Sequence, residues 1–169
     1  MNITFIGMPG SGKSVLGKEL ARVLGYKFLD VDIIMEEKRK LKLQQILEKL
    51  GDEAFIRFEE QTILGLGKLK NCIISPGGSV VYSAKAMQFL KEKSTVIFLD
   101  CPLQGLKNRL TNASTRGIVG LKNKGLEALF KERIALYRKY VDITIKVSDN
   151  FDIETVMKTT LHRLRKNCP

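Results

Sequence analysis

A five-stranded parallel sheet with helices on both faces, a three-layer α/β fold, is the architecture expected of this 169-residue chain. Short apolar runs rich in β-branched residues alternate with longer helical patterns, the arrangement that builds a parallel sheet. The first apolar run also leads straight through a glycine-rich turn into a helix. The length suits one domain, 1–169, able to bury roughly 70% of the surface its unfolded chain exposes.

Strands are expected at Ile3–Ile6, Lys27–Leu29, Cys72–Ser75, Thr95–Leu99 and Ile143–Val147. The first helix begins within Gly12-Lys13-Ser14 and ends at Gly25, a residue suited to a left-handed C-cap. A second helical stretch carries Leu43, Ile46, Leu47 and Leu50, with Gly51 as its cap. The last helix sets Ile153, Val156, Met157, Thr160, Leu161 and Leu164 on one face, and Asp152 is its N-cap. Between the fourth and fifth strands lies a polar stretch, Asn112–Gly125, with glycines at 117, 120 and 125. A loop of that length in a compact domain is usually functional. No internal repeat or interdomain linker interrupts the pattern.

No apolar run approaches the 18 or more residues of a membrane span, and the opening Met1-Asn2-Ile3-Thr4-Phe5-Ile6 lacks the basic start of a signal peptide. Three scattered cysteines, Cys72, Cys101 and Cys168, have no metal-ligand spacing and read as reduced thiols of a cytoplasmic protein. The net charge of +11 raises nucleic-acid binding. Aromatic residues are not interleaved with the basic ones as stacking platforms, so the charge reads as a solvated surface that steers small anions. A monomer is expected, with no nucleic-acid or membrane partner. The lone histidine, His162, reads as a surface or packing residue of the last helix.

Gly7-Met8-Pro9-Gly10-Ser11-Gly12-Lys13-Ser14 satisfies G-x-x-x-x-G-K-[ST], after a strand and before a helix, as that motif requires. Its chemistry is phosphate binding, which makes this a P-loop NTPase fold. Glycines let successive backbone N–H groups turn inward around an anion, and the helix N-terminus adds partial positive charge. Gly10, Ser11, Gly12, Lys13, Ser14 and Val15 are therefore the candidate ATP contacts. Lys13 should reach the β- and γ-phosphates, and the Ser14 hydroxyl should ligate Mg²⁺. Val15 stands where a dinucleotide fingerprint needs its third glycine, so that alternative is excluded.

Phe28-Leu29-Asp30-Val31-Asp32 ends the second strand with two carboxylates, at the strand end where ligands collect in open α/β sheets. Alternation along a strand puts Asp30 and Asp32 on one side. One then supports Mg²⁺ and the other accepts a hydrogen bond from an attacking hydroxyl. The structural alternative is that Asp32 simply N-caps a helix starting near Ile33. Leu126, Leu129, Phe130, Ile134 and Tyr137 form one helical stripe, and Arg133 falls on it. An arginine on a packed apolar face is costly unless it is paired or binds an anion. Snorkelling, or a bridge to an internal carboxylate, is the other account of Arg133.

These residues resemble the shikimate kinase family over nearly the whole chain. The family's S-x-x-G-x-x-L-A follows the P-loop as Ser14-Val15-Leu16-Gly17-Lys18-Glu19-Leu20-Ala21, and its F-x-D-x-D is Phe28 to Asp32. The resemblance implies magnesium support by Asp30 and a substrate hydroxyl on Asp32. It implies a substrate turn at Pro76-Gly77-Gly78-Ser79, a lid arginine at Arg116 and an adenine-side arginine at Arg109. The family's R-x-x-x-Y, present as Arg133 to Tyr137, implies that Arg133 binds the substrate carboxylate. The catalytic set is then Lys13, Asp32 and Arg116, and the substrate set Asp32, Gly77, Gly78 and Arg133. The implied activity is Mg·ATP-dependent conversion of shikimate to shikimate 3-phosphate. Alternatives are a related kinase for another polyol or hydroxy acid, and a degenerate nucleotide-binding regulatory module.

Three positions depart from the family. Its helix carries F-R-x-x-E, whose arginine is a second clamp on the carboxylate, whereas ungapped counting from Phe55 to Gly77 puts Ile56 there. Arg57 replaces that arginine only if the helix starts one residue later, pairing it with Glu60. One residue on a helix is otherwise a turn of about 100°, which points Arg57 away. Ser79 replaces the third glycine of the substrate turn, and Gly117 the lid proline.

Overall fold

The computed structural model describes residues 1–111 and 117–167. Five parallel strands, β1 (Ile3–Ile6), β2 (Lys27–Asp30), β3 (Cys72–Ser75), β4 (Thr95–Asp100) and β5 (Ile143–Lys146), form one sheet in the order β2-β3-β1-β4-β5. β1 and β3 are buried at every residue, whereas the edge strand β5 alternates buried and exposed. Burial on both faces is why the central strands read as unbroken apolar runs.

The helices are α1 (Lys13–Leu24), α2 (Val31–Arg39), α3 (Leu43–Leu64), α4 (Ala84–Lys93), α5 (Leu103–Arg109), α6 (Leu121–Tyr140) and α7 (Ile153–Asn167). The chain moves one way across the sheet from β1 to β2 and the other way through β3, β4 and β5. Right-handed crossovers therefore put α1 on one face and α3, α4 and α6 on the other. α7 returns to pack against α1. The direction reverses at β1, and the crevice at such a switch point is where open α/β sheets bind ligands.

The caps follow the local sequence. Gly25 ends α1 in the left-handed conformation, its N–H bonded to the Ala21 carbonyl. Asp152 accepts the Glu154 and Thr155 N–H groups at the start of α7. Gly51 does not end its helix outright: helical residues resume directly after it, so α3 is two helical segments joined at a residue with φ 73° and ψ 169°. The expected loop 112–125 also ends sooner than its sequence suggests. Leu121 already opens α6, which is interrupted at Gly125. Residues 112–116 lie outside the described residues.

Candidate functional site

One cavity of about 630 Å³ opens at the switch point, and it gathers most of the candidate residues. Its floor is the loop between β1 and α1. Gly10 and Gly12 hold φ of 81° and 98°, a region that glycine enters without strain. Lys13 is buried, and its Nζ donates to the carbonyls of Gly7 (2.9 Å) and Met8 (3.1 Å), folded over its own loop. Burial outweighs the nearby Asp32 and Asp30 and lowers the Lys13 ammonium to about 8. Ser11 is buried, its hydroxyl without a hydrogen-bond partner among the described residues, while Val15 is exposed at the cavity wall.

Asp30 and Asp32 reach the cavity, but not by strand alternation. β2 ends at Asp30, whose Oδ1 caps α2 by accepting from the N–H groups of Asp32 (3.1 Å) and Ile33 (3.4 Å). The cap is thus Asp30, and Asp32 sits in the first turn of the helix. The other oxygen, Asp30 Oδ2, accepts from Ser14 Oγ at 2.9 Å, with Ser75 Oγ 3.5 Å from that hydroxyl. A hydroxyl and a carboxylate so joined are hard oxygen donors of the kind that Mg²⁺ takes alongside water and phosphate oxygens. Burial raises the Asp32 carboxyl to about 7, helped by the neighbouring charges of Glu59 and Asp30.

The turn after β3 passes between three helices and the phosphate loop. A Cβ on Gly77 would come within 2.7 Å of Glu59 Oε1 and 3.0 Å of Asp32 Oδ1. One on Gly78 would meet Pro9 Cδ at 2.7 Å and Arg133 Nη1 at 3.0 Å. The site therefore closes around bare backbone. Tyr137 of α6 donates to the Gly78 carbonyl at 2.6 Å, and Ser79 donates to Glu59 Oε2 at 2.7 Å. Arg133 is only 1% exposed. Its Nε donates to the Tyr82 hydroxyl (3.2 Å) and its Nη2 to the Val119 carbonyl (2.8 Å), neutral partners rather than an internal carboxylate. The guanidinium also lies 5.1 Å from the Tyr82 ring centroid. It does not snorkel, and among the described residues no carboxylate bridges to it, although its charge acts on the buried Glu59.

Arg109 lines the same cavity at the end of α5. Its Nε donates to the Gly105 carbonyl (2.9 Å) and its Nη2 to Cys101 Sγ (2.7 Å), and Phe151 stands 5.6 Å from the guanidinium. Arg116 lies outside the described residues. Arg57 is exposed and pairs with Glu53 at 3.7 Å, so it does not replace the missing arginine; Ile56 packs against the core. His162 is exposed on α7.

Sequence reasoning missed Glu59. It is 1% exposed, Oε1 has no hydrogen-bond partner among the described residues, and burial raises its carboxyl despite Ser79 and Arg133. The signal was available: Phe55, Glu59, Thr62 and Ile63 share the buried face of α3, and a carboxylate there is as anomalous as Arg133 on its own stripe.

The shikimate kinase family profile matches residues 9–165. The shikimate kinase of Aquifex aeolicus (strain VF5) is 32% identical over 167 residues, covering 99% of this chain and 98% of that protein. That of Sulfurihydrogenibium sp. (strain YO3AOP1) is 34% identical over 137 residues, 81% of this chain and 82% of that one. Among solved structures, a shikimate kinase from Acinetobacter baumannii in complex with shikimate superposes with a TM-score of 0.89 at 29% identity, over 99% of this chain and 94% of that chain. A thymidylate kinase from Candida albicans, at 14% identity and a TM-score of 0.67, shares the fold.

Proposed function

This chain belongs to the shikimate kinase family, and from that premise we propose how its switch-point cavity joins ATP to shikimate. The reaction is ATP-dependent phosphorylation of shikimate. The observation that carries the assignment is the buried Arg133, which faces the same cavity as the phosphate loop and spends its hydrogen bonds on neutral groups. An arginine so placed has no carboxylate hydrogen-bonded to it among the described residues, and an incoming carboxylate suits its planar fork.

At the nucleotide end, Lys13 exchanges the Gly7 and Met8 carbonyls for phosphate oxygens as ATP enters, and Arg109 lies along the base. Ser14 and Asp30 are the residues that would hold Mg²⁺, which would supply charge neutralisation to the phosphates. At the acceptor end, Arg133 takes the carboxylate, Gly77 and Gly78 form the wall, and Asp32 accepts a hydrogen bond from the attacking hydroxyl, giving shikimate 3-phosphate. A carboxyl raised to about 7 exchanges its proton near neutral pH, where general-base help is most effective. Arg116, in the lid that the resemblance puts at 112–125 and that the start of α6 at Leu121 shortens, adds a cation to the transferring phosphoryl group. Loose transition states of this kind are stabilised mainly by position and charge, which is what these groups supply. The enzyme works as a cytoplasmic monomer of one domain.

The test is turnover with Mg·ATP and a panel of hydroxylated acids and neutral polyols. Shikimate is expected to give the highest kcat/KM. Turnover of a neutral polyol with none of shikimate would overturn the acceptor assignment.

A further inference from the structure

Gln44 opens α3 beside the cavity, and its side chain holds a segment 73 residues further along the chain. Its Oε1 accepts the Gly117 N–H at 2.7 Å, while its Nε2 donates to Glu48 Oε1 at 2.8 Å, fixing the amide's orientation. Glu48 in turn stands 3.4 Å from Lys122 of α6, a second tie between the two helices.

Gly117 is what permits this contact. Its φ is +62°, and a Cβ there would lie 2.9 Å from Gln44 N and from Leu43 C. Backbone rests directly on backbone. A proline at this position has no N–H to give and is locked near φ −65°. The two residues that follow, Ile118 and Val119, are buried, and the Val119 carbonyl is the acceptor for Arg133 Nη2 at 2.8 Å. Gly117–Val119 is therefore a short strip clamped at one end by Gln44 of α3 and at the other by Arg133 of α6.

We propose that Gln44 is a positioning residue of the acceptor site, acting on Arg133 through the Gly117–Val119 strip that it fixes to α3. Arg133 donates from two edges, to Tyr82 and to Val119, and both must stay in place for its remaining face to point at the cavity. Tyr82 is set by the turn after β3. Val119 is set by the strip, and the strip by Gln44. The role rests on Arg133 holding the acceptor's carboxylate.

Steady-state kinetics of the full chain test it, with Gln44→Ala, the double variant Gln44→Glu with Glu48→Gln, and Arg133→Ala side by side. Gln44→Ala loses the acceptor for the Gly117 N–H and is expected to raise the shikimate KM about five-fold, the scale of one neutral hydrogen bond, with the ATP KM unchanged. The double variant, Gln44→Glu with Glu48→Gln, keeps an oxygen for that N–H and an amide donor between the two side chains, and is expected to restore most of the loss. An equal rise in both variants, or a fall in thermal stability with no change in shikimate KM, overturns the role of Gln44. If Arg133→Ala raises the shikimate KM and Gln44→Ala does not, the positioning role alone is wrong. If Arg133→Ala also leaves it unmoved, the carboxylate assignment itself has failed.

Discussion

Glu59 is a buried carboxyl with a serine hydroxyl on one oxygen and no hydrogen-bond partner on the other among the described residues. Arg133 and Lys13 favour its charged form, and Ile56 adds no charge of its own. Burial outweighs both, favours the neutral acid and raises its pKa above the ordinary 4.5. Between 4.5 and its raised value the folded protein holds a proton that the unfolded chain has released, so this group's contribution to stability is lost as pH rises through that window. Gln at position 59 cannot titrate. Urea unfolding of wild type and Glu59→Gln from about pH 4 to 8 should give a difference that moves in favour of the variant as pH rises. A difference flat with pH would show that Glu59 ionises in the fold as it does in the unfolded chain.

The β1–loop–α1 unit was legible residue by residue, because the spacing of Gly7, Gly12, Lys13 and Ser14 is a local backbone requirement. The predicted catalytic loss on removing Lys13 belongs to this element. Its ammonium contacts loop carbonyls and is already disfavoured by burial, so Lys13→Ala should unfold at or near the wild-type temperature. Turnover should fall by about a hundredfold or more, since a preorganised charge on transferring phosphate is worth on the order of 3 kcal/mol. Wild-type-like turnover would remove Lys13 from the mechanism. Other elements were less legible. Asp30 and Asp32 look alike in the sequence, and only the turn into α2 shows that one caps the helix while the other sits in its first turn. Gly51 reads as a helix end because positive φ is what a C-cap needs; that a second helical segment starts at once depends on the packing of Phe55, Glu59 and Ile63 further on. Gln44 carried no signal at all, since its partner is 73 residues away.

At the scale of the molecule, the sheet order explains why residues from so many parts of the chain meet. The reversal at β1 opens one crevice, where Lys13 and Ser14 follow β1, Asp30 and Asp32 follow β2, and Gly77 and Gly78 follow β3. Arg109 and Arg133 come from α5 and α6, on either side of segment 112–116. The nucleotide end follows its motif closely, and the acceptor end departs from it at Ile56, Ser79 and Gly117. With Arg57 turned to solvent, Arg133 is the buried arginine to which we assign the acceptor's carboxylate. Calorimetric titration of shikimate into wild type and Arg133→Ala tests this most directly. Truncating one partner of a buried charge pair costs about 2–5 kcal/mol, so the variant should bind shikimate at least roughly 30-fold more weakly while binding an ATP analogue as wild type does. Equal shikimate affinity in the two proteins would contradict the account.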